Sequence, residues 1–402
     1  MSIPNKTTET SFAHVTPLAG SAVAPRKPYE PHTSAESSVS SPEAISIIVP
    51  VYNVRNYVAD CIRSLTIAVT SFHSQYGLDA EIIVVDDGST DGSGDIVESL
   101  AHVATIRIFH TDNNGLASAR NFGVNQAHSE YVSFVDGDDM VSPDYLCTLY
   151  AGMITANASA NRLHDKALVI GTYATVPENA DLQQAIALTD SPTTPTLESA
   201  VHVMTSSNAI RRTLAGVVPI QAVAKLARRD WYVQHPYAAR HLYEDLETII
   251  PLLSSVDTVV LISTPIYCYR QRPGSITRNA HPSMKQLQDY CHAIDTFERE
   301  CATRCNTASE RDLLAYQIAT QCTRLHRTIR IASRAGGGLS TQERDTLRTL
   351  DAQTDARVRS LLPAALQAPG TSRSGCIRIR LFCLSRLLYD MAFDCYEALA
   401  KR

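Results

Sequence analysis

The chain reads as an α/β protein built on a doubly wound parallel sheet, followed by a helical C-terminal extension. Short β-branched apolar runs at Ile45–Pro50, Ala80–Val85 and Tyr131–Val135 have the length and composition of buried strands. Amphipathic segments separate them, and strands alternating with helices imply parallel pairing with helices on both faces. Each run also ends in a polar turn. Open sheets of this kind bind ligands beyond the carboxyl ends of their strands.

The elements follow in order. Residues 1–43 are rich in Ser, Thr, Pro and Ala and lack an apolar stretch long enough for a secretory signal, so a disordered tail is expected before Ala44. Pro50 closes the first strand, and Val51-Tyr52-Asn53 turns the chain into a helix with Val58, Cys61, Ile62, Leu65 and Val69 on one face. The second strand delivers Asp86-Asp87-Gly88-Ser89-Thr90-Asp91-Gly92, ahead of a helix over Gly94–Ala101 and a short strand at Thr105–Phe109. The run at Tyr131 delivers Asp136-Gly137-Asp138-Asp139. Carboxylates crowded this closely repel one another, and a hard oxygen-seeking ion such as Mg²⁺ or Mn²⁺ relieves that repulsion while leaving positions open for a diphosphate. A lone Asp-x-Asp would be read as an acidic turn. The second acidic cluster, in a matching strand-end context, favours a site.

The later chain is helical in pattern. Stripes at Tyr290-Ala293-Phe297 and at Leu313-Ile318-Cys322-Leu325-Ile329 predict packing faces, and Gly336-Gly337-Gly338 predicts a flexible turn, since a phosphate cradle would need a preceding strand. Ile377, Leu381, Leu384, Leu388, Met391, Cys395 and Ala398 recur at helical spacing with Arg378, Arg380 and Arg386 interleaved. That pattern predicts one amphipathic helix, packed on its neighbours or resting on an anionic bilayer or partner chain. No run of about eighteen apolar residues occurs, so no membrane span is expected.

Composition narrows the class. The chain's 402 residues, 44% hydrophobic and 19% charged, allow one large core with an appended region. A net charge of -5 with no basic domain argues against a nucleic-acid partner. Ten cysteines without a Cys-x-x-Cys pair fit reduced core thiols of a cytosolic protein; Cys301 and Cys305 lack the histidines that would complete a metal site.

Four segments resemble the successive signatures of family 2 glycosyltransferases: Ile47-Ile48-Val49-Pro50-Val51-Tyr52-Asn53, Val84–Asp91, Asn114–Asn121 and Phe134–Asp139. Weaker likeness continues through Ala224-Lys225-Leu226, Tyr243-Glu244-Asp245 and Tyr269–Ile276, the last similar to a segment of capsule and exopolysaccharide enzymes. The resemblance implies a GT-A type fold: a nucleotide-sugar-binding half at 44–147, an acceptor-binding half at 148–280, and a helical region at 281–402. It also implies an inverting, metal-dependent transferase, hexosyl or N-acetylhexosaminyl, working in surface polysaccharide synthesis in the cytoplasm or at the inner face of the membrane. The donor would be a nucleotide-diphosphate sugar, UDP-linked by preference, and the acceptor a glycan or lipid-linked hydroxyl.

Residue roles come with the resemblance. Asp138 binds Mn²⁺ or Mg²⁺, Asp136 reaches the ribose or assists the metal, and Asp139 contacts metal through water, or the acceptor. Pro50, Tyr52 and Asp87 hold the nucleotide, with Asp86 supporting their loop. Arg120 lies near base and phosphates or pairs with Asp86 or Asp87, and Arg270 and Arg272 close over the diphosphate or remain surface arginines. Asp245, beside Glu244, is the base that takes the acceptor's proton. Lys225 is structural or acceptor-facing, and Trp231 stacks on sugar or packs a helix. The chain lacks the Gln-x-x-Arg-Trp motif of processive synthases, which favours single addition. An inactive sugar-binding scaffold on the same fold is the alternative; retention of Asp138 and Asp245 speaks against it.

Overall fold

A computed structural model describes residues 44–101, 106–159, 166–189, 200–276, 279–334 and 339–400. The tail expected at 1–43 and the turn expected at Gly336–Gly338 lie outside the described residues. Strands β1 (Ile45–Val51), β2 (Ala80–Asp86), β3 (Ile106–His110) and β4 (Tyr131–Phe134) form the parallel half of the sheet, in the order β3-β2-β1-β4. The sheet then changes character. β8 (Lys225–Arg228) joins β4 antiparallel, followed by β6 (Ala167–Pro177) and β9 (Thr258–Gln271); β5 (Met140–Val141) and β7 (Val201–Thr205) pair with β9. The parallel expectation therefore holds for the first half, and mixed pairing begins where the alternation of strand and helix lapses.

Both faces are covered, which is why β1 is apolar at nearly every position. Its Ile45, Ile47, Val49 and Val51 pack with α1 (Val58–Tyr76) and α4 (Tyr145–Ser159), burying Cys61, Leu65, Phe72 and Leu149. Ile48, with Ile83, Val85 and Phe134 of the neighbouring strands, faces the other cluster, which includes α3 (Leu116–Gln126) and α8 (Glu244–Ser254). That second core continues into α9 (Met284–Ala302) and α10 (Ala308–Arg334), whose stripes Tyr290-Ala293-Phe297 and Leu313-Ile318-Cys322-Leu325-Ile329 are buried as expected. The C-terminal helices thus share the core of the sheet. Cys301 is buried beside them, and Cys305 is engaged with the Glu310 carbonyl.

The end of the chain departs from expectation. In place of one helix there are two, α12 (Arg373–Leu384) and α13 (Arg386–Ala400), broken at Ser385, whose backbone is extended at φ -158° and ψ 110°. The inward face is Ile379, Phe382 and Tyr389. The stripe expected to pack is largely outside: Ile377, Leu388 and Met391 are exposed, as is Leu384 at 83%. The helices are apolar on two sides, and of the two roles expected for the stripe its exposure disfavours packing on the neighbouring helices. Among the described residues no helix is long and apolar enough to cross a membrane.

Candidate active site

The carboxyl ends of β1, β2 and β4 meet at one edge, where the polar turns lie. Gly137 lets the turn after β4 approach β1: a Cβ there would stand 3.0 Å from the Pro50 carbonyl oxygen and from Val51 Cγ2. The three aspartates of this turn separate by direction. Asp138 keeps a 17% exposed carboxylate, ion-paired with Arg272 (Oδ2 to Nε 2.5 Å), and Asp136 is ion-paired with Arg120 at 2.7 Å. Asp139 points inward, accepting from the Tyr267 hydroxyl at 2.6 Å and the Arg270 backbone amide at 2.7 Å. Asp139, expected at the metal, is a buried tie between this turn and β9. Burial raises the Asp138 carboxyl, Asp136 raises it further and Arg272 opposes both. An oxygen-only donor set of two neighbouring carboxylates fits a hard divalent cation at Asp138 and Asp136.

At the end of β2, Asp86 accepts from the Ser89 amide at 3.1 Å and pairs with His110 at 2.9 Å, holding its loop. Asp87 accepts from the amides of Asn114 and Gly115 at 2.9 and 2.7 Å and from the Thr111 hydroxyl at 3.2 Å. Most of its acceptor capacity is used inside the protein. Asp87, expected to hold the nucleotide, therefore ties the 111–115 loop. Pro50 pairs within the sheet opposite Val85, and Tyr52 beside it exposes its ring. Asn53, in the left-handed region at φ 50°, accepts from the Thr90 amide and fastens the two loops together.

Helix α3 then reaches across to the acidic pair. Arg120, 3% exposed, pairs with Asp136 on one side and with Glu244 on the other. Its neighbour Asn121 exchanges two hydrogen bonds with the backbone of Tyr237, and Asn114 accepts from Arg240 at 3.0 Å. Arg120 thus pairs with neither Asp86 nor Asp87, because its helix points it away from β2. The turn into α8 is strained: Arg240 and Tyr243 have φ of 64° and 65°. Such conformations cost about 1–3 kcal/mol and persist where surroundings over-determine them. Tyr243 is held by a stacked Tyr290 ring, 4.0 Å between centroids, and by the Gln286 amide donating to its hydroxyl. Burial pushes the Glu244 carboxyl up to about 7 against the pull of Arg120, with Asp245 adding to the rise. Asp245, half-buried in the first turn of α8, is also raised by burial, with Arg120 again opposing.

Residues 46–165 match the model of glycosyl transferase family 2. This chain carries a family 2 glycosyltransferase domain. It is 31% identical over 239 residues to glycosyltransferase GlyA of Streptococcus pneumoniae serotype 4, covering 59% of this chain but only 32% of GlyA. Identity to GlyG of the same strain is 29% over 238 residues, covering 59% of this chain and 73% of GlyG. Residues 1–349 of S. aureus TarS in complex with UDP share 18% identity at a TM-score of 0.49, over 80% of this chain and 81% of that one.

The two late arginines play different parts. Arg270 is buried: its donors go to the carbonyls of Asp138, Glu178 and Ala180 at 2.7–3.0 Å, and Asp60 lies 3.4 Å away. It is a brace, with no donors left for a diphosphate. Arg272, just past the end of β9, sits on Asp138 and beside the Tyr57 ring. Lys225 is buried behind the cleft, donating to the Gln221 carbonyl; burial pushes its ammonium down to about 7 while Asp245 pulls the other way. Lys225 had been left open between structural and acceptor-facing roles, and it reaches the site from within the protein. Trp231 packs against Tyr232 and His235. It follows Arg228, which pairs with Tyr131 at the amino end of β4, so it lies at the opposite end of that strand from Asp136. The helix-packing role is the one it has.

Proposed function

We propose that this protein is a single-addition inverting glycosyltransferase that moves a hexosyl or N-acetylhexosaminyl group from a nucleotide-diphosphate sugar to a hydroxyl of a glycan or lipid-linked acceptor. The observation that carries the reading is Arg120, whose guanidinium joins Asp136 on the expected donor side to Glu244 beside Asp245. A donor-side carboxylate and a base-side carboxylate are thereby locked into one cleft. Asp138 and Asp136 are the residues that would hold Mn²⁺ or Mg²⁺, which when bound supplies Lewis-acid stabilisation of the departing diphosphate. Tyr52 would offer a flat exposed ring to the nucleotide, and Arg272, paired with Asp138, would offer positive charge to the diphosphate.

Asp245 takes the acceptor hydroxyl's proton as the oxygen attacks the anomeric carbon from the face opposite the leaving group. Its raised carboxyl suits this task, because a base whose pKa lies closer to the working pH accepts a proton more readily. Glu244, its carboxyl raised to about 7 by burial, is paired with Arg120 and positions that bridge rather than taking the acceptor's proton. The exposed Ile377, Leu384, Leu387, Leu388 and Met391, with Arg373, Arg378 and Arg380 on the same terminal helices, suit an anionic bilayer surface on the cytoplasmic side. That contact would bring a lipid-linked acceptor to the enzyme. Release of nucleoside diphosphate from a panel of UDP-, GDP- and dTDP-sugars, with Mn²⁺ and with EDTA, tests the reading; no release from any donor would favour the inactive sugar-binding scaffold.

A further inference from the structure

Around the acidic pair in the chain, His241, Glu247 and His292 bring one ligand atom each to within 4.8 Å of the others. They come from three places: the turn before α8, the first turn of α8, and the middle of α9. His241 Nδ1 and Glu247 Oε1 are already 3.2 Å apart, and the His292 ring meets the His241 ring edge-on at 5.2 Å. With donors at about 2.1 Å, a tetrahedral zinc spaces its ligands about 3.4 Å apart. The first pair therefore needs almost no movement, and the exposed His292 needs only a short swing.

We infer that this cluster is a second metal site, binding Zn²⁺ through two imidazoles and one carboxylate, distinct from the oxygen-only set at Asp138. Two nitrogen donors and one oxygen donor select a borderline metal over Mg²⁺ or Mn²⁺. The backbone supports the arrangement. Lys285, Asp289 and His292 lie along one face of α9; Asp289 accepts from the Leu242 amide at 3.1 Å and Lys285 donates to the Arg240 carbonyl at 2.7 Å. This face already grips the strained turn, and zinc adds a third tie at its free end. Lys285 is ion-paired with Asp289, so its charge does not stand uncompensated against a cation. The site would fix Tyr243, Glu244 and Asp245 by closing the loop on which they stand; that consequence for transfer rests on the proposed function, but the binding does not.

The test uses the untagged full-length chain carrying Asp138→Ala, so that the oxygen site does not compete. Titrated with Co²⁺, it should develop the intense visible absorption of tetrahedral cobalt, saturating at one equivalent and displaced by Zn²⁺. His292→Ala, at an exposed helix position, should weaken Zn²⁺ binding by more than the roughly 10- to 100-fold that loss of an outer-shell partner costs. Glu247→Gln, which keeps size, should do the same. Zn²⁺ should also slow amide hydrogen exchange at residues 240–247 in the parent and not in the His292 variant. Absence of the tetrahedral band, its persistence in both variants, or a thiolate-to-cobalt charge-transfer band would overturn the assignment.

Discussion

Replacing Arg120 with methionine tests the bridge across the cleft. The substitution keeps most of the apolar stem and removes the guanidinium from between Asp136 and Glu244. Asp136, 27% exposed, recovers water, so its loss is that of one charge-assisted hydrogen bond, about 1.5–3 kcal/mol. Glu244 cannot recover water; it responds by holding its proton. In the wild type its carboxyl is raised to about 7, so between the ordinary value of 4.5 and 7 the unfolded chain releases a proton that the folded protein keeps. Stability from this group therefore falls as pH rises through that window and levels off above it. Without Arg120, which pulls the pKa down, the window extends upward. Below pH 7 the two proteins differ only by the Asp136 term. Above it the gap widens by up to about 1.4 kcal/mol per pH unit. Urea unfolding at pH 6.5, 7.5 and 8.5 should thus show a loss of about 2 kcal/mol growing to about 4. A penalty that is constant or shrinks as pH rises would refute the bridge.

Three further outcomes are expected. Asp138→Ala should abolish Mn²⁺-dependent donor binding in calorimetry and leave the melting temperature nearly unchanged, because Val132, Phe134 and Val135 supply the packing of that strand; EDTA-insensitive donor binding in the wild type would count against it. Arg272→Gln should tighten Mn²⁺ binding several-fold in the absence of donor, since the arginine now occupies the Asp138 carboxylate, and weaken donor binding; looser Mn²⁺ binding would show that Arg272 does not compete. Leu384→Ser with Leu387→Ser should reduce cosedimentation with anionic vesicles without lowering the melting temperature, each leucine being largely exposed, at 83% and 69%; undiminished sedimentation would remove the membrane role.

What the sequence disclosed and what it withheld divide along physical lines. The strand-end motifs are consecutive residues whose period and turn chemistry are local, so β1, β2, β4 and their aspartates could be placed before any contact was known. Within Asp136–Asp139, though, only the fold shows which carboxylate turns inward, because Tyr267, which holds Asp139, lies 128 residues away. Arg120 could not be matched to Glu244 for the same reason, at a separation of 124. Arg270 and Arg272 look alike in sequence, yet β9 ends at Gln271, so one is locked in the sheet and the other leaves it. The terminal helices carry apolar residues on two faces, and the break at Ser385 leaves no signal stronger than a serine. The His241, Glu247 and His292 cluster was also out of reach, since it needs α8 and α9 side by side.

The most direct measurement is transfer by Asp245→Asn, with donor affinity and product configuration followed together. The substitution keeps the side chain's size and removes its capacity to accept a proton, so turnover should fall by about 10²- to 10⁴-fold, the usual contribution of a positioned base. Donor affinity should barely move, and an α-linked donor should give a β-linked product in the wild type by proton NMR. Because the surrounding protein raises the Asp245 carboxyl, the wild-type pH profile should show its acidic limb above the ordinary aspartate range, and the variant should lack that limb. Near-normal turnover in Asp245→Asn, or a product of retained configuration, would contradict direct displacement assisted by this carboxylate.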